Sequence, residues 1–177
     1  FELNKNTQQS EFSQKITNPL RGASTNDTFG ANVAMHDDLA LIGTGSAIFV
    51  PKTTIASVYV FHHDGKEWKF IERVRNIASK DIINFADYTE GMGPPLGDCF
   101  GASLALNDKW ALIGGPLENR ASGELYSGSV SFYRIKERHG KKHLHLVKKV
   151  FSDDASTNLT ALMNLQIRGD TVLIADP

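Results

Sequence analysis

The sequence of 177 residues contains one cysteine, six prolines and almost no net charge, with 19 Lys and Arg against 20 Asp and Glu. With Cys99 as its single thiol, the chain can form neither an intrachain disulfide nor a cysteine-based zinc cluster. The balanced charge argues against a general nucleic-acid binder. No run of about 18 apolar residues is present to form a transmembrane segment. What remains is a globular chain, 41% hydrophobic, that is long enough to bury a core.

The most informative feature that is present is an internal repeat. Residues 29–43 (FGANVAMHDDLALIG) and 100–114 (FGASLALNDKWALIG) are identical at nine of fifteen positions, and residues 161–177 form a third, degenerate copy. In each copy, side chains alternate between two faces before a short polar turn, which predicts a β-strand. The nearly all-apolar run after the turn predicts a second strand covered on both faces.

Two further strands are predicted after each hairpin. They are Ser57–Phe61 and Trp68–Val74 in the first copy, and Ser129–Tyr133 and His143–Val150 in the second. The repeating unit is then a four-stranded antiparallel meander, and such units stacked radially make a β-propeller. We therefore predict an all-β fold, a partial β-propeller with about two and three-quarter blades present.

The predicted organisation has five parts. Residues 1–26 supply a linker and the outer strand of a preceding blade (Glu11–Ile16), 27–75 form one blade, 76–97 an inserted loop, 98–150 a second blade, and 151–177 the first half of a degenerate blade. Because a propeller typically needs at least about four blades, we expect further residues of the polypeptide or another subunit to supply the missing ones. Strands 161–175 would otherwise present an unpaired edge.

The repeated residues resemble the FG-GAP repeat, which builds the propeller of integrin α chains and of many surface proteins. The residues that carry the resemblance are Phe29, Gly30, Gly43, Trp68, Phe100, Gly101, Gly114 and Pro116. The resemblance covers most of residues 27–177, and it implies an extracellular, cell-surface or periplasmic location. It also implies a non-enzymatic scaffold that binds a protein or a glycan through face loops. A structural subunit of an envelope or secretion assembly, and a propeller enzyme acting on polysaccharide, stay open as alternatives.

The chain departs from the family where calcium would bind. Calcium-binding members insert an Asp-x-Asp-x-Asp-Gly type of loop between the first two strands, because Ca²⁺ takes about six to eight oxygen ligands. Here those connections are the short turns Asp37-Asp38, Asn107–Lys109 and Arg168–Asp170. We expect no calcium, other metal or cofactor in these blades. Saturable calcium binding that is lost on changing Asp37 and Asp38 would contradict this expectation.

The most basic stretch is a candidate anion-binding patch. Residues 134–149 hold seven Lys or Arg and one acid, and the candidate site comprises Arg134, Lys136, Arg138, Lys141 and Lys142. Such a cluster could attract phosphate, a sulfated glycan or an anionic membrane surface. The alternative is a solvated outer hairpin whose charges discourage edge-to-edge pairing. Loop 76–97, with segments 47–56 and 116–127, is the expected partner footprint, the alternative being a disordered spacer.

Three other motifs have plainer explanations. Arg168-Gly169-Asp170, a tripeptide that some integrins recognise, falls at a predicted tight turn. His143 and His145 share one face of a strand, but no carboxylate or thiol lies at metal-ligand spacing. The segment starting Gly43-Thr44-Gly45 is neither a nucleophile elbow nor a phosphate-binding loop. The sequence therefore points to no catalytic residue.

Overall fold

A computed structural model describes residues 2–3, 10–20, 28–44, 56–76, 99–118, 128–151 and 164–175. These residues form β-strands and no helix, so the described part of the chain is all-β, as predicted. The strands are β1 (Glu2–Leu3), β2 (Ser10–Glu11), β3 (Asn32–His36), β4 (Leu39–Gly43), β5 (Ser57–His63), β6 (Trp68–Arg75), β7 (Ser103–Leu106), β8 (Trp110–Gly115), β9 (Ser129–Arg138), β10 (Lys141–Phe151), β11 (Asn164–Arg168) and β12 (Thr171–Ala175). A search of this part of the chain finds no helix with the length and apolarity to cross a membrane.

The strands pair with their neighbours in chain order. The first sheet has the order β3-β4-β5-β6 and the second sheet has the order β7-β8-β9-β10, all antiparallel. β11 and β12 form a terminal hairpin, and β1 pairs with β2. The predicted four-stranded antiparallel meander is thereby confirmed for both repeats.

The segment before the first sheet differs from the prediction of a strand over Glu11–Ile16. Only Ser10–Glu11 is a strand, and residues 12–18 have no regular structure. The amide of Gln14 instead bonds the backbone of Trp68, accepting from its N–H at 2.7 Å and donating to its carbonyl at 3.1 Å. One side chain therefore makes both hydrogen bonds that a neighbouring strand would make at this point of β6.

The two sheets pack face to face. One core joins Leu39, Leu41, Val58 and Val60 of the first sheet to four residues of the second: Phe100, Ala111, Ile113 and Tyr133. The opposite face of the second sheet packs on the terminal hairpin through Ala105, Leu112, Val130 and Leu165. Alternate residues of β8 thus enter two different cores, as expected of an apolar strand covered on both faces.

Equivalent positions of the repeat have equivalent places in this stack, except at its two ends. Leu112 faces the next unit and is fully buried, whereas its counterpart in the terminal hairpin, Leu173, is 64% exposed. Val33 and Met35 are exposed on the first sheet, while the corresponding leucines of β7 pack against the core between the sheets. The outer faces of the first sheet and of the terminal hairpin therefore leave apolar side chains uncovered in the described part of the chain.

The Phe-Gly motif forms the same turn in the first two repeat copies. Thr28 and Cys99 adopt φ values of 52° and 51°, and the following glycines, Gly30 and Gly101, both have φ of 90°. The N–H three residues after Thr28 bonds its carbonyl at 3.0 Å, and the equivalent bond to Cys99 is 2.9 Å long. A φ near +90° favours glycine, which gives a physical reason for glycine in the motif.

Candidate functional site

The candidate site lies on the outer hairpin, which we define as β9 and β10. The strands have ten and eleven residues and turn at His139-Gly140, where both φ values are positive. Arg138 is opposite Lys141, and the next residues inward pair in register, Glu137 with Lys142 and Lys136 with His143. Because opposed residues of an antiparallel pair share a face, this register decides which cations lie together.

Five cations share one face of the outer hairpin. Arg134, Lys136 and Arg138 alternate along β9, Lys141 is opposite Arg138, and Lys148 is opposite Phe132 on the same side. We call these five residues the basic face. The register places four of the five residues of the predicted patch together, and it assigns Lys142 to the opposite side of the hairpin.

That opposite side contacts the first sheet, where Lys142 is neutralised. Its Nζ donates to the carboxylate of Asp38, which also lies 2.9 Å from Nε2 of His62. Burial raises the pKa of Asp38, but the hydrogen bonds from Lys142 and His62 outweigh that effect and hold the pKa below its usual value. Asp38 belongs to the β3–β4 turn, so this contact joins the first sheet to the outer hairpin.

Lys149 is neutralised on the same side in a buried cluster. Its Nζ donates to Glu118 at 2.5 Å and to the side-chain oxygen of Asn76 at 2.6 Å, while the Ser129 hydroxyl donates to the other oxygen of Glu118. The Glu118 side chain is only 5% exposed. Burial, with a smaller effect from the Glu118 charge, raises the pKa of Tyr133 to about 12. The cluster links the end of β6 to the second sheet.

The basic face has no such counter-charges. None of its five residues forms an ion pair with another residue that the structure describes. Lys136, Arg138, Lys141 and Lys148 are exposed, and the guanidinium of Arg134 lies 4.8 Å from the ring centroid of Trp110. Lys142 and Lys149 are thus neutralised on the side facing the first sheet, whereas the five cations on the other side are not neutralised by any residue that the structure describes, although His143 on that side lies 3.4 Å from Glu72.

The histidine and Arg-Gly-Asp motifs serve local contacts. His143 Nδ1 is 3.4 Å from Oε2 of Glu72, whose other oxygen, Oε1, accepts from the Leu144 N–H at 2.8 Å. Within the described ranges, no group of three or more His, Cys, Asp or Glu residues could hold a metal ion. Gly169 and Asp170 form the turn between β11 and β12, where the Gly169 carbonyl accepts from the Asn107 amide at 2.8 Å.

The predicted partner footprint lies almost wholly outside the described residues. Of segments 47–56, 76–97 and 116–127, the structure describes residues 56, 76 and 116–118. Thr44 and Ser57 lie on either side of the first segment and are hydrogen-bonded to each other. The Thr44 hydroxyl accepts from the Ser57 N–H at 2.9 Å and donates to the Ser57 carbonyl at 3.2 Å. Gly43 and Thr44 therefore lie at a strand end that is hydrogen-bonded to β5.

A small polar cleft was not foreseen from the sequence. It has a volume of about 140 Å³ and lies where β3, β7 and β11 come together, with Asn32, Ser103 and Asn164 on its wall. These three residues occupy equivalent positions of the three repeat copies. In the sequence, this cleft corresponds to a polar residue at the first position of β3, β7 and β11, the first strand of each repeat copy.

No protein-family model matches this chain, and no curated protein matches it with significance. The FG-GAP resemblance accordingly depends on the repeated residues themselves.

Proposed function

We propose that the chain is part of an FG-GAP-like β-propeller that acts as a non-enzymatic scaffold and binds an anionic protein or glycan. The observation that carries the binding role is the division of the outer hairpin into two sides. Lys142 and Lys149 are neutralised by carboxylates on one side, while the basic face is without counter-ions among the described residues. An uncompensated cluster of cations on an exposed sheet face attracts anionic macromolecules.

The propeller part of the proposal is supported by how the units stack. The first strands β3, β7 and β11 contact one another in succession, and each contact between units uses equivalent positions of the repeat. Further blades on the exposed faces at Val33 and Leu173 would bury these side chains as their counterparts are buried. An experimental structure of the intact protein tests this, because a solvent-exposed β3 face in that structure would contradict the propeller.

Binding is tested with charge reversal on the basic face. Immobilised sulfated dextran and polyglutamate serve as probes, and binding of the purified protein is measured by biolayer interferometry. Lys136→Glu combined with Lys141→Glu is expected to weaken binding by about tenfold or more, equivalent to about 1.4 kcal/mol. The matched control is Lys15→Glu with Lys66→Glu, which changes the net charge equally at exposed sites outside the face.

The control should bind like the unmodified protein, and binding of the unmodified protein should weaken as salt is added. Equal losses in the two double variants would show that only the net charge matters and would contradict a defined site. A protein that binds neither probe at low salt would contradict the binding role altogether.

A further inference from the structure

We infer that Lys149 couples the end of β6 to the base of the β8–β9 connection, so that disturbing either one opens the other. The base of the connection consists of Glu118 and Gly128, which are hydrogen-bonded to each other. The coupling is independent of the proposed binding function, because it lies between the first and second sheets and not on the basic face.

A single ammonium group bonds residues on both sides of this contact. Lys149 Nζ donates to the side-chain oxygen of Asn76 at 2.6 Å and to Oε1 of Glu118 at 2.5 Å. Asn76 directly follows β6 of the first sheet, whereas Lys149 belongs to β10 and Glu118 comes after β8 in the second sheet. One side chain therefore bridges the end of β6 and the base of the connection.

Burial makes the bonds of this cluster depend on one another. The side chains of Lys149 and Glu118 are 16% and 5% exposed, and Asn76 is 7% exposed. A buried charge that loses a partner is costly, and hydrogen bonds of a network in a low-dielectric interior strengthen one another. Withdrawal of Asn76 should therefore weaken the bond between Lys149 and Glu118 as well.

Glu118 transmits such a change to the backbone. Its carbonyl accepts from the Gly128 N–H at 3.1 Å, and its own N–H donates to the Gly115 carbonyl at 3.1 Å. The same residue thus closes the connection with its backbone and joins the buried cluster with its side chain. Segments 76–97 and 116–127 of the expected partner footprint both include a residue of the cluster, so a partner bound at one segment would alter the other.

Hydrogen exchange followed by NMR on the purified protein tests the coupling. The reporters are the amide protons of Gly128 and Glu118, and the perturbation is Asn76→Ala, which removes an acceptor of Lys149. Exchange at both reporters should accelerate about fivefold or more. The matched control is Asn107→Ala, because Asn107 is also 7% exposed but bonds the terminal hairpin. The control should leave both reporters unchanged.

A second background asks whether the coupling passes through Lys149. In Lys149→Met with Glu118→Gln, which leaves no charge in the cluster, adding Asn76→Ala should change exchange at Gly128 by less than about twofold. A fivefold acceleration that persists in this background overturns the inference. Equal acceleration by Asn76→Ala and Asn107→Ala would show general loosening, and no acceleration by either would show independent positions, so both results overturn it too.

Reciprocity provides a measurement that needs no lysine variant. Ser129→Ala removes the hydroxyl that donates to Glu118, and it should accelerate exchange over residues 72–76 at the end of β6, because coupling acts equally in both directions. Unchanged exchange over residues 72–76, with exchange at Gly128 accelerated, would show that the base of the connection opens alone and would contradict the coupling.

Discussion

The backbones of Gly43 and Gly101 are in van der Waals contact where the two sheets meet. A Cβ added at Gly43 would lie well under 3.0 Å from the carbonyl oxygen of Gly101, and a Cβ added at Gly101 would be 3.5 Å from Cα of Gly43. Gly43 ends the second strand of one repeat, and Gly101 follows the phenylalanine that begins the next. The two glycines of the repeated motif are therefore needed for the same contact between neighbouring units.

Alanine substitutions at three glycines should separate backbone strain from steric overlap. Gly30 has φ of 90° and nothing within 4 Å of an added Cβ, so Gly30→Ala should cost about 1–2 kcal/mol through strain alone. Gly43→Ala should cost about 1–3 kcal/mol through overlap. Gly101→Ala combines φ of 90° with a 2.8 Å approach to Val58 and should cost more than either. Urea denaturation measures all three, and a Gly43→Ala protein as stable as the original would refute the close contact.

Truncation to alanine should change the free energy of unfolding by very different amounts at two equivalent leucines. Leu112 is fully buried between the second sheet and the terminal hairpin, whereas Leu173 is 64% exposed. Leu112→Ala should lower the free energy of unfolding by about 2–5 kcal/mol because it leaves a cavity. Leu173→Ala, the matched control, should change it by less than about 0.5 kcal/mol in a protein that comprises these 177 residues alone, where this face is uncovered. A large effect at Leu173, measured by the same denaturation, would mean that another unit covers this face in solution.

Lys149 and Lys148 are adjacent in sequence and should respond differently to loss of charge. Lys149→Met leaves Glu118 buried without its counter-ion, so the free energy of unfolding should fall by about 3–5 kcal/mol. Lys148→Met removes an exposed cation of the basic face and should change it by less than about 0.5 kcal/mol. Adding Glu118→Gln to Lys149→Met should recover part of the loss, since no buried charge then remains. Thermal unfolding followed by circular dichroism would contradict this if the two lysine variants melted together.

Asp38 should make the protein sensitive to acid. The pKa of Asp38 is lower in the folded protein than in the unfolded chain, so its stabilising contribution is present above the unfolded pKa of about 3.9. That contribution is lost as the pH falls through the lower, folded pKa. Asp38→Asn should therefore destabilise the protein at pH 7 and weaken the dependence of stability on pH below about 4.

Unfolding by urea at pH 7 and at pH 3 measures this difference. Asp37→Asn is the control, because the Asp37 side chain is 75% exposed and its carboxylate lies 3.6 Å from Nε2 of His36. Identical pH profiles for the unmodified protein and Asp38→Asn would show that the bond to Lys142 contributes nothing to stability.

Much of the local structure could be predicted from residue patterns. Alternation around Val33 and Leu104, and the apolar runs after the two turns, predicted the hairpins because each side chain of a strand faces the side opposite its neighbours. The strand predicted over Glu11–Ile16 was wrong beyond Glu11. Its pattern could not reveal that the Gln14 amide would bond the backbone of a residue 54 positions away.

The sequence by itself determined the all-β class and the four-stranded meander, since alternation and turn residues act between near neighbours along the chain. It also determined which segment would be most basic. Only the tertiary structure decided which of those cations are uncompensated, because Lys142 and Lys149 find their carboxylates on residues 104 and 31 positions away. Strand register separates Lys142 from Lys141, its neighbour in sequence, and packing against the first sheet neutralises one side of the hairpin alone.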